Sequence, residues 1–170
     1  QLGSGGMGVV YRAYDTMRTR FPTWQAVREA PEGELAASIR SGGLANLKAR
    51  RIKQCLDAVV ERFGGLDLSA LASADLDEAR ARLRGLPGVG PKTAAIVMLF
   101  SLDMPAFPVD THIHRVAGRI GLRPAGATAE QSHALLAALF PPDIYKSAHL
   151  NLIRLGREVC QARRPACDRC

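Results

Sequence analysis

The stretch LPGVGPKTA at residues 86–94 decides the fold, together with VDTH at residues 109–112. Two glycines separated by one residue let the backbone turn tightly and approach another molecule closely. Pro91 suits the first position of a helix, because its φ is already helical and its missing N–H needs no partner there. A glycine turn that opens into a helix N-terminus presents unpaired N–H groups and a partial positive charge. The stretch therefore predicts a phosphate-binding site.

Lys92 lies in the first turn of this predicted helix, where the helix dipole disfavours a cation. Its amine is therefore expected to lose a proton more easily than a surface lysine does. A neutral amine can attack an aldehyde-like sugar carbon and form a Schiff base. Position alone also fits a solvated surface charge, which is what most lysines in a first helical turn are.

Asp110 comes eighteen residues after Lys92, directly before a second helical pattern. Its carboxylate is expected to stabilise positive charge on a sugar or to help move protons. An aspartate at this point is also a good helix N-cap, and that structural role alone would explain it. The residues that follow it, His112, His114 and Arg115, are interpreted as packing or supporting groups rather than as acids or metal ligands.

Taken together, LPGVGPKTA and VDTHIHRV (residues 109–116) closely resemble the helix-hairpin-helix, Gly-Pro-Asp (HhH-GPD) class of DNA base-excision glycosylases, specifically the endonuclease III family. The resemblance covers roughly residues 21–170. It implies that Lys92 is the nucleophile and that Asp110 is the essential carboxylate. A serine-bearing branch of the family cuts only the base, so the lysine implies a bifunctional enzyme that also cleaves the DNA backbone.

The same resemblance implies that the partner is double-stranded DNA with damaged bases, mainly oxidised pyrimidines, or with abasic sites. Such an enzyme, expected to be a monomer, holds the phosphates and flips the damaged nucleotide out of the stack. Leu44, in a glycine-rich turn, matches the apolar residue that fills the resulting gap, although it could instead be a core leucine. The residues expected to contact DNA are Leu44, Gly88, Val89, Gly90, Lys92, Thr93, Arg163 and Arg164.

Three of the four cysteines, Cys160, Cys167 and Cys170, crowd into the last eleven residues. This C-x6-C-x2-C spacing predicts ligation of a soft metal, and the x2 pair fits zinc as readily as iron. A disulfide is the poorer alternative, because nothing else marks the chain as secreted. The endonuclease III resemblance implies a [4Fe–4S] cluster held by four thiolates. We therefore expect a partial cluster loop at residues 156–170, with the fourth cysteine beyond the end of the sequence.

A formal charge of +7 and a pI near 9.7 favour a polyanionic partner such as nucleic acid. Arg163 and Arg164, between the first two cysteines of the loop, suit phosphate contacts, although they could simply be solvated. The sequence has no apolar run near the roughly eighteen residues that span a membrane. Its first residues are glycine-rich rather than apolar, so no signal peptide is predicted. The expected location is the cytosol, in association with the nucleoid.

Apolar residues recur at helical spacing after residue 20, and no convincing pair of strands is visible. Helices are predicted over residues 24–30, 32–40, 46–63, 75–84, 93–102, 111–120, 129–140 and 144–159. The expected fold is all-α: a helix-hairpin-helix glycosylase fold with an iron–sulfur loop, truncated at both ends. The glycosylase domain is expected over residues 21–155.

Residues 1–20 predict something different. Their first half matches G-x-G-x-x-G-x-V and resembles the nucleotide-binding loop of bacterial Ser/Thr protein kinases. No His-Arg-Asp or Asp-Phe-Gly motif follows, so a kinase is excluded as the function. The segment replaces helices that, in the endonuclease III family, carry a glutamine lining the lesion pocket. We therefore expect a foreign, poorly packed segment, and an inactive chain becomes one hypothesis.

The leading prediction is a DNA glycosylase and abasic-site lyase. The alternatives are a non-catalytic helix-hairpin-helix DNA-binding remnant, a monofunctional mismatch or uracil glycosylase, and a kinase-related nucleotide binder. Lys92 favours the lyase, because a pure phosphate binder needs no amine paired with Asp110.

Overall fold

The computed structural model describes residues 6–170, with side chains from residue 8. Within that range the chain forms helices and turns, and no β-strand. The helices are α1 (Gly6–Arg20), α2 (Trp24–Glu29), α3 (Glu32–Ser38), α4 (Ala45–Phe63), α5 (Leu76–Arg84), α6 (Pro91–Ser101), α7 (Thr111–Arg119), α8 (Ala129–Leu139) and α9 (Tyr145–Glu158). The all-α prediction is confirmed, and each predicted helix is present to within two residues at either end.

The chain divides into two compact units. The first unit comprises the described residues up to Leu68, with Leu86–Gly88. The second comprises Ser69–Gly85 and Val89–Cys170. Helices α1–α4 therefore belong to the first unit, and α5–α9 belong to the second.

In the first unit, α1 packs against α3 and the short 3-10 turn Arg40–Gly42. Its buried residues Ala13 and Met17 share a core cluster with Phe21, Val27 and Leu35. Because Ala13, Met17 and Phe21 are spaced by four residues, they lie on one face of the helical path. The expectation of a poorly packed segment is therefore wrong for residues 8–20. The first two glycines of the kinase-like loop, Gly3 and Gly5, lie outside the described residues.

Local sequence signals fix the helix starts in the second unit. Asp75 caps α5 by accepting from the N–H groups of Asp77 and Glu78. Thr128 and Gln131 form a reciprocal capping box at the start of α8. These caps set the helix boundaries that position the candidate site.

The core of the second unit is formed around the chain segment that leads into α7. Its buried side chains come from α6, from that segment and from the three helices that follow it; they are Leu99, Phe107, Val109, Ile113, Ala117, Leu136 and Tyr145. Phe107 is stacked on Phe140 and meets Tyr145 edge-on, with 5.3 Å between ring centroids in each pair. The segment before α7 is thereby anchored in the core.

Helices α7 and α9 approach each other closely at Gly156. A Cβ atom added there would lie 2.9 Å from Cβ of His112 and 3.2 Å from a methyl group of Val116. The absent side chain therefore lets the two helices pack at this distance.

Among the described residues, no helix combines the length and the apolar character that crossing a membrane requires.

Candidate active site

The predicted hairpin is present between α5 and α6. Gly88 has a φ of +79°, in the left-handed region that favours glycine. Gly90 is extended and precedes α6, with no side-chain cap, and Pro91 occupies the first turn as predicted. A Cβ atom at Gly88 or Gly90 would have no neighbour within 4 Å. The backbone of the turn is thus open to a close approach.

The first turn of α6 presents its backbone donors outward. The first helical bond of α6 runs from Ala94 N to Gly90 O, at 3.0 Å. The N–H groups of Lys92 and Thr93 precede that bond, and both residues are exposed, whereas Val89 is half-buried. The geometry is that of a helix N-terminus able to receive an anion.

Asp110 is the N-cap of α7 and is partly buried. Its Oδ1 accepts a hydrogen bond from Ile113 N at 2.8 Å. Asp110 therefore does act as a helix N-cap, the structural role that its position in the sequence allowed. This role uses one carboxylate oxygen, and within residues 6–170 no donor bonds to the other.

His149 on α9 is within electrostatic range of both Lys92 and Asp110. Burial lowers the pKa of this imidazole, opposed in part by its hydrogen bond to the Pro108 carbonyl. The Asp110 carboxylate also raises the pKa of the ring, and the Lys92 ammonium lowers it. The two charges therefore act on one ring in the second unit.

The polar residues after Asp110 support the structure. Arg115 donates to the carbonyls of Gly156 at 2.7 Å and Cys160 at 3.0 Å, and its Nη2 lies 3.2 Å from His112 Nδ1. The His114 ring bonds to the Ala127 carbonyl at 3.0 Å. These contacts agree with the interpretation of these residues as packing groups.

Leu44 belongs to the first unit and is 74% exposed. Its φ is +52°, and it follows Gly43, whose φ is +69°. A left-handed conformation is strained for a leucine, and here it places an apolar side chain in solvent at the start of α4. The alternative of a core leucine is therefore wrong.

The cysteine loop does not form a metal cage. Cys160 is buried, whereas Cys167 and Cys170 are exposed. Among the described residues there is no group of three or more His, Cys, Asp or Glu side chains arranged to hold a metal ion. Arg119 donates to the Cys160 sulfur at 3.4 Å. The thiols have the soft-ligand chemistry of an iron–sulfur site.

The two arginines of the same loop are exposed. Arg164 has a φ of +54°, so the chain reverses sharply there. Arg119 fixes the start of the loop by donating to the carbonyls of Gln161 at 2.7 Å and Ala162 at 3.1 Å. Arg163 and Arg164 are accordingly presented to solvent.

Sequence reasoning missed the two histidines that bond the segment before Asp110. His133 Nδ1 lies 2.9 Å from the Phe107 carbonyl, and His149 Nδ1 lies 2.9 Å from the Pro108 carbonyl. The bonded residues are 26 and 41 positions apart in sequence, and no local pattern connects them.

The comparisons with known proteins agree with this geometry. The family description "HhH-GPD superfamily base excision DNA repair protein" matches residues 7–142, a range that includes Lys92 and Asp110. The match begins inside the segment that the sequence predicted to be foreign.

The chain is similar to two endonuclease III proteins. It is 31% identical to that of Thermotoga maritima over 150 residues, which cover 88% of this chain and 66% of the relative. It is 33% identical to that of Sulfolobus acidocaldarius over 144 residues, which cover 85% and 62%. The chain thus spans slightly less than two thirds of each relative.

Solved structures share the fold. A trapped covalent intermediate of endonuclease III with DNA aligns with a TM-score of 0.80 at 29% identity, covering 95% of this chain and 72% of that one. A thermostable thymine-DNA glycosylase aligns with a TM-score of 0.75 at 26% identity, covering 96% and 72%. With a family match over residues 7–142, this chain belongs to the HhH-GPD superfamily of base excision DNA repair proteins.

Proposed function

We propose that this chain is a base-excision DNA glycosylase with abasic-site lyase activity, acting on duplex DNA with oxidised pyrimidines or abasic sites. The proposal is supported by the electrostatic effect that both the Lys92 and the Asp110 charges have on one imidazole, that of His149. An amine and a carboxylate that share a region can form and stabilise a cationic sugar intermediate. A protein that only gripped phosphate would need the hairpin N–H groups alone.

The hairpin is proposed to hold the DNA backbone beside the damaged nucleotide. The open space at Gly88 and Gly90 allows a phosphate to approach the main chain, and the N–H groups of Lys92 and Thr93 would donate to it. Arg163 and Arg164 are proposed as a further phosphate contact, since both are exposed.

The reaction proposed for Lys92 begins with a neutral amine. Its Nζ bonds to sugar C1′ while the bond from C1′ to the base breaks, and the base leaves with the electron pair and takes up a proton. The Asp110 carboxylate offsets the positive charge that develops on the sugar. The amine then loses a proton, and the C1′–O4′ bond of the sugar ring breaks, so that O4′ takes up a proton and a Schiff base forms between Nζ and C1′. Loss of a proton from C2′ then breaks the C3′–O bond and releases the 3′ phosphate.

Leu44 is proposed to enter the duplex where the damaged nucleotide has left the stack. Its side chain is exposed, apolar and held in one backbone conformation by the turn. An inserted apolar side chain offsets part of the lost stacking.

A [4Fe–4S] cluster remains a proposal from the family spacing of Cys160, Cys167 and Cys170. No step of the reaction passes through it. Iron and sulfide analysis of purified protein checks it, because a protein without a cluster would contain neither.

The experiment that tests the function is borohydride trapping on duplex DNA with one abasic site. Borohydride reduces a Schiff base to a stable covalent adduct, so the wild-type chain should yield protein–DNA adduct and Lys92→Ala should yield none. Lys146→Ala is the matched control, because Lys146 is also an exposed helical lysine but pairs with Asp103. Absence of adduct from protein that circular dichroism shows to be folded would contradict the lyase.

A monofunctional glycosylase for mismatched thymine or uracil is the second candidate, favoured by the similarity to a thymine-DNA glycosylase. Duplexes with an oxidised pyrimidine, a G·T mismatch or a G·U mismatch distinguish the candidates. Base release that leaves an alkali-labile but intact strand would support the monofunctional enzyme. Strand cleavage without alkali would support the lyase.

A further inference from the structure

The segment Asp103–Asp110 has no regular secondary structure, yet most of it is buried. Phe107 and Val109 are each only 2% exposed, and Pro108 is fully buried. Buried backbone carbonyls outside helices and strands need hydrogen-bond partners, because water cannot reach them. The hydrogen bonds to these carbonyls therefore determine the backbone conformation that leads into Asp110.

Two histidine rings from different helices provide those bonds. His133 on α8 binds the Phe107 carbonyl and His149 on α9 binds the next carbonyl, that of Pro108, each through Nδ1 at 2.9 Å. A carbonyl oxygen only accepts hydrogen bonds, so each ring must carry a proton on Nδ1. Adjacent carbonyls are thus held by donors from two helices.

The His149 ring has little freedom to turn away from this bond. The residue is 2% exposed and lies edge-on to Phe100 and Phe107, with centroids 5.6 Å and 6.5 Å away. Burial lowers the pKa of both His133 and His149, which keeps the rings neutral near pH 7. The donors are therefore fixed in place and in charge.

Only Val109 separates the carbonyl bonded by His149 from Asp110. Past that point, Asp110 Oδ1 is bonded to Ile113 N. The chain is consequently held on both sides of the Asp110 Cα atom, by an imidazole before it and by the start of α7 after it.

We propose that His133 and His149 are positioning residues, which hold the Phe107 and Pro108 carbonyls and thereby orient the Asp110 carboxylate toward the reacting sugar. The inference rests on the proposed function. The proposed role adds two residues that lie outside the hairpin. Neither ring needs to touch the DNA to fulfil it.

The test compares His149→Leu with His149→Asn. Leucine fills a similar volume without a donor, whereas the asparagine amide places an N–H near the position of Nδ1. Single-turnover trapping at saturating abasic DNA measures the chemical step, and the Kd for the same duplex is measured separately. We expect His149→Leu to slow the chemical step at least about tenfold with Kd within about twofold of wild type. His149→Asn should recover to within about threefold.

The matched control is His114→Leu. The His114 ring also bonds a backbone carbonyl, that of Ala127, but this carbonyl does not lead to Asp110. It should retain the wild-type rate. Should His149→Leu fail to fold, the same pair of substitutions at the half-buried His133 provides the measurement.

Three results would overturn the proposal: a wild-type rate in the leucine variants, an asparagine variant as slow as leucine, or a loss confined to Kd. ¹⁵N NMR of labelled histidine gives a readout independent of activity, and Nε2–H tautomers at both rings would also overturn it. If the wild-type chain traps no DNA while both rings carry Nδ1–H, the proposed function fails and the positioning role fails with it. That result differs from a slow variant of an active enzyme.

Discussion

Two turns of this molecule use similar backbone geometry to present opposite kinds of chemistry. The lysine turn, residues 85–92, has a left-handed Gly88 and leads into α6. The leucine turn, residues 40–45, has a left-handed Gly43 and leads into α4. Neither helix start has a side-chain cap. The lysine turn exposes backbone donors and an amine, whereas the leucine turn exposes an apolar side chain.

The difference lies in where the strain falls. In the lysine turn, glycine adopts the left-handed conformation at no steric cost. In the leucine turn, Leu44 itself has a φ of +52°, although it is 74% exposed and gains little from packing. A strained backbone without local compensation points to function, since strain of about 1–3 kcal/mol persists mainly where it is used. Each turn can therefore be tested by separating its stability from its activity.

The largest expected effect is in the lysine turn. Lys92→Ala should lower single-turnover lyase activity at least about a thousandfold, because the attacking amine is lost. Because Lys92 is exposed, the free energy of unfolding should change by no more than about 0.5 kcal/mol. Gel analysis of strand cleavage and thermal unfolding measure the two quantities. Residual cleavage near the wild-type rate would assign the nucleophile to another residue.

In the leucine turn, Leu44→Asn should lower activity without lowering stability. Asparagine tolerates the left-handed region better than leucine, so the variant should be as stable as wild type or slightly more stable. Loss of the apolar side chain should slow base excision from duplex DNA about tenfold. A single-stranded substrate with the same lesion needs no such insertion and should show little change. Equal losses on both substrates would remove the proposed role of Leu44.

The two glycines of the lysine turn should respond differently to the same added methyl group. Gly88→Ala should destabilise the fold by about 1–2 kcal/mol, because its φ of +79° is left-handed. Gly90→Ala should leave stability within about 0.5 kcal/mol, because its φ of −91° is ordinary, yet it should weaken DNA binding by narrowing the phosphate approach. Urea unfolding and fluorescence anisotropy measure the two effects. Equal DNA binding by Gly90→Ala and wild type would argue against the hairpin contact.

The smallest effect is a pH dependence confined to the second unit, which contains His133 and His149. Burial lowers the pKa of both imidazoles, so the unfolded chain binds protons more readily than the folded one. Stability should be complete above the unfolded pKa and should fall as the pH drops through about 6.5. The loss should be at most about 0.7 kcal/mol for each ring between pH 7 and pH 6. Hydrogen exchange at both pH values locates it, and a loss in α1–α4 would contradict the assignment.

Much of the fold follows from local patterns in the sequence. The hairpin, Pro91 at the start of α6 and the N-cap at Asp110 each depend on residues within a few positions, and all are present. The packing of α1 was not predicted because more weight was given to the glycine motif than to the helical spacing of apolar residues in the same segment. Ala13 and Met17, one helical turn apart, carried the helical signal.

The rest depends on long-range contacts. The histidine bonds to Phe107 and Pro108 join residues far apart in sequence, and no local rule predicts such a pairing. The positive φ of Leu44 could not be predicted either, because the sequence Gly-Gly-Leu does not indicate which residue adopts the left-handed conformation. The pairing of Lys92 with Asp110 rests on the family resemblance rather than on spacing, and it stays a prediction.

Gly156 sets a dimension of the candidate site without entering it. The helix it approaches, α7, begins at the Asp110 cap, and its own helix, α9, carries His149. The absence of a methyl group at position 156 lets α7 and α9 lie close together, and so affects the distance between the Asp110 carboxylate and the His149 imidazole. One added carbon at position 156 would force α7 and α9 apart, and with them the helix that starts at Asp110 and the helix that carries His149.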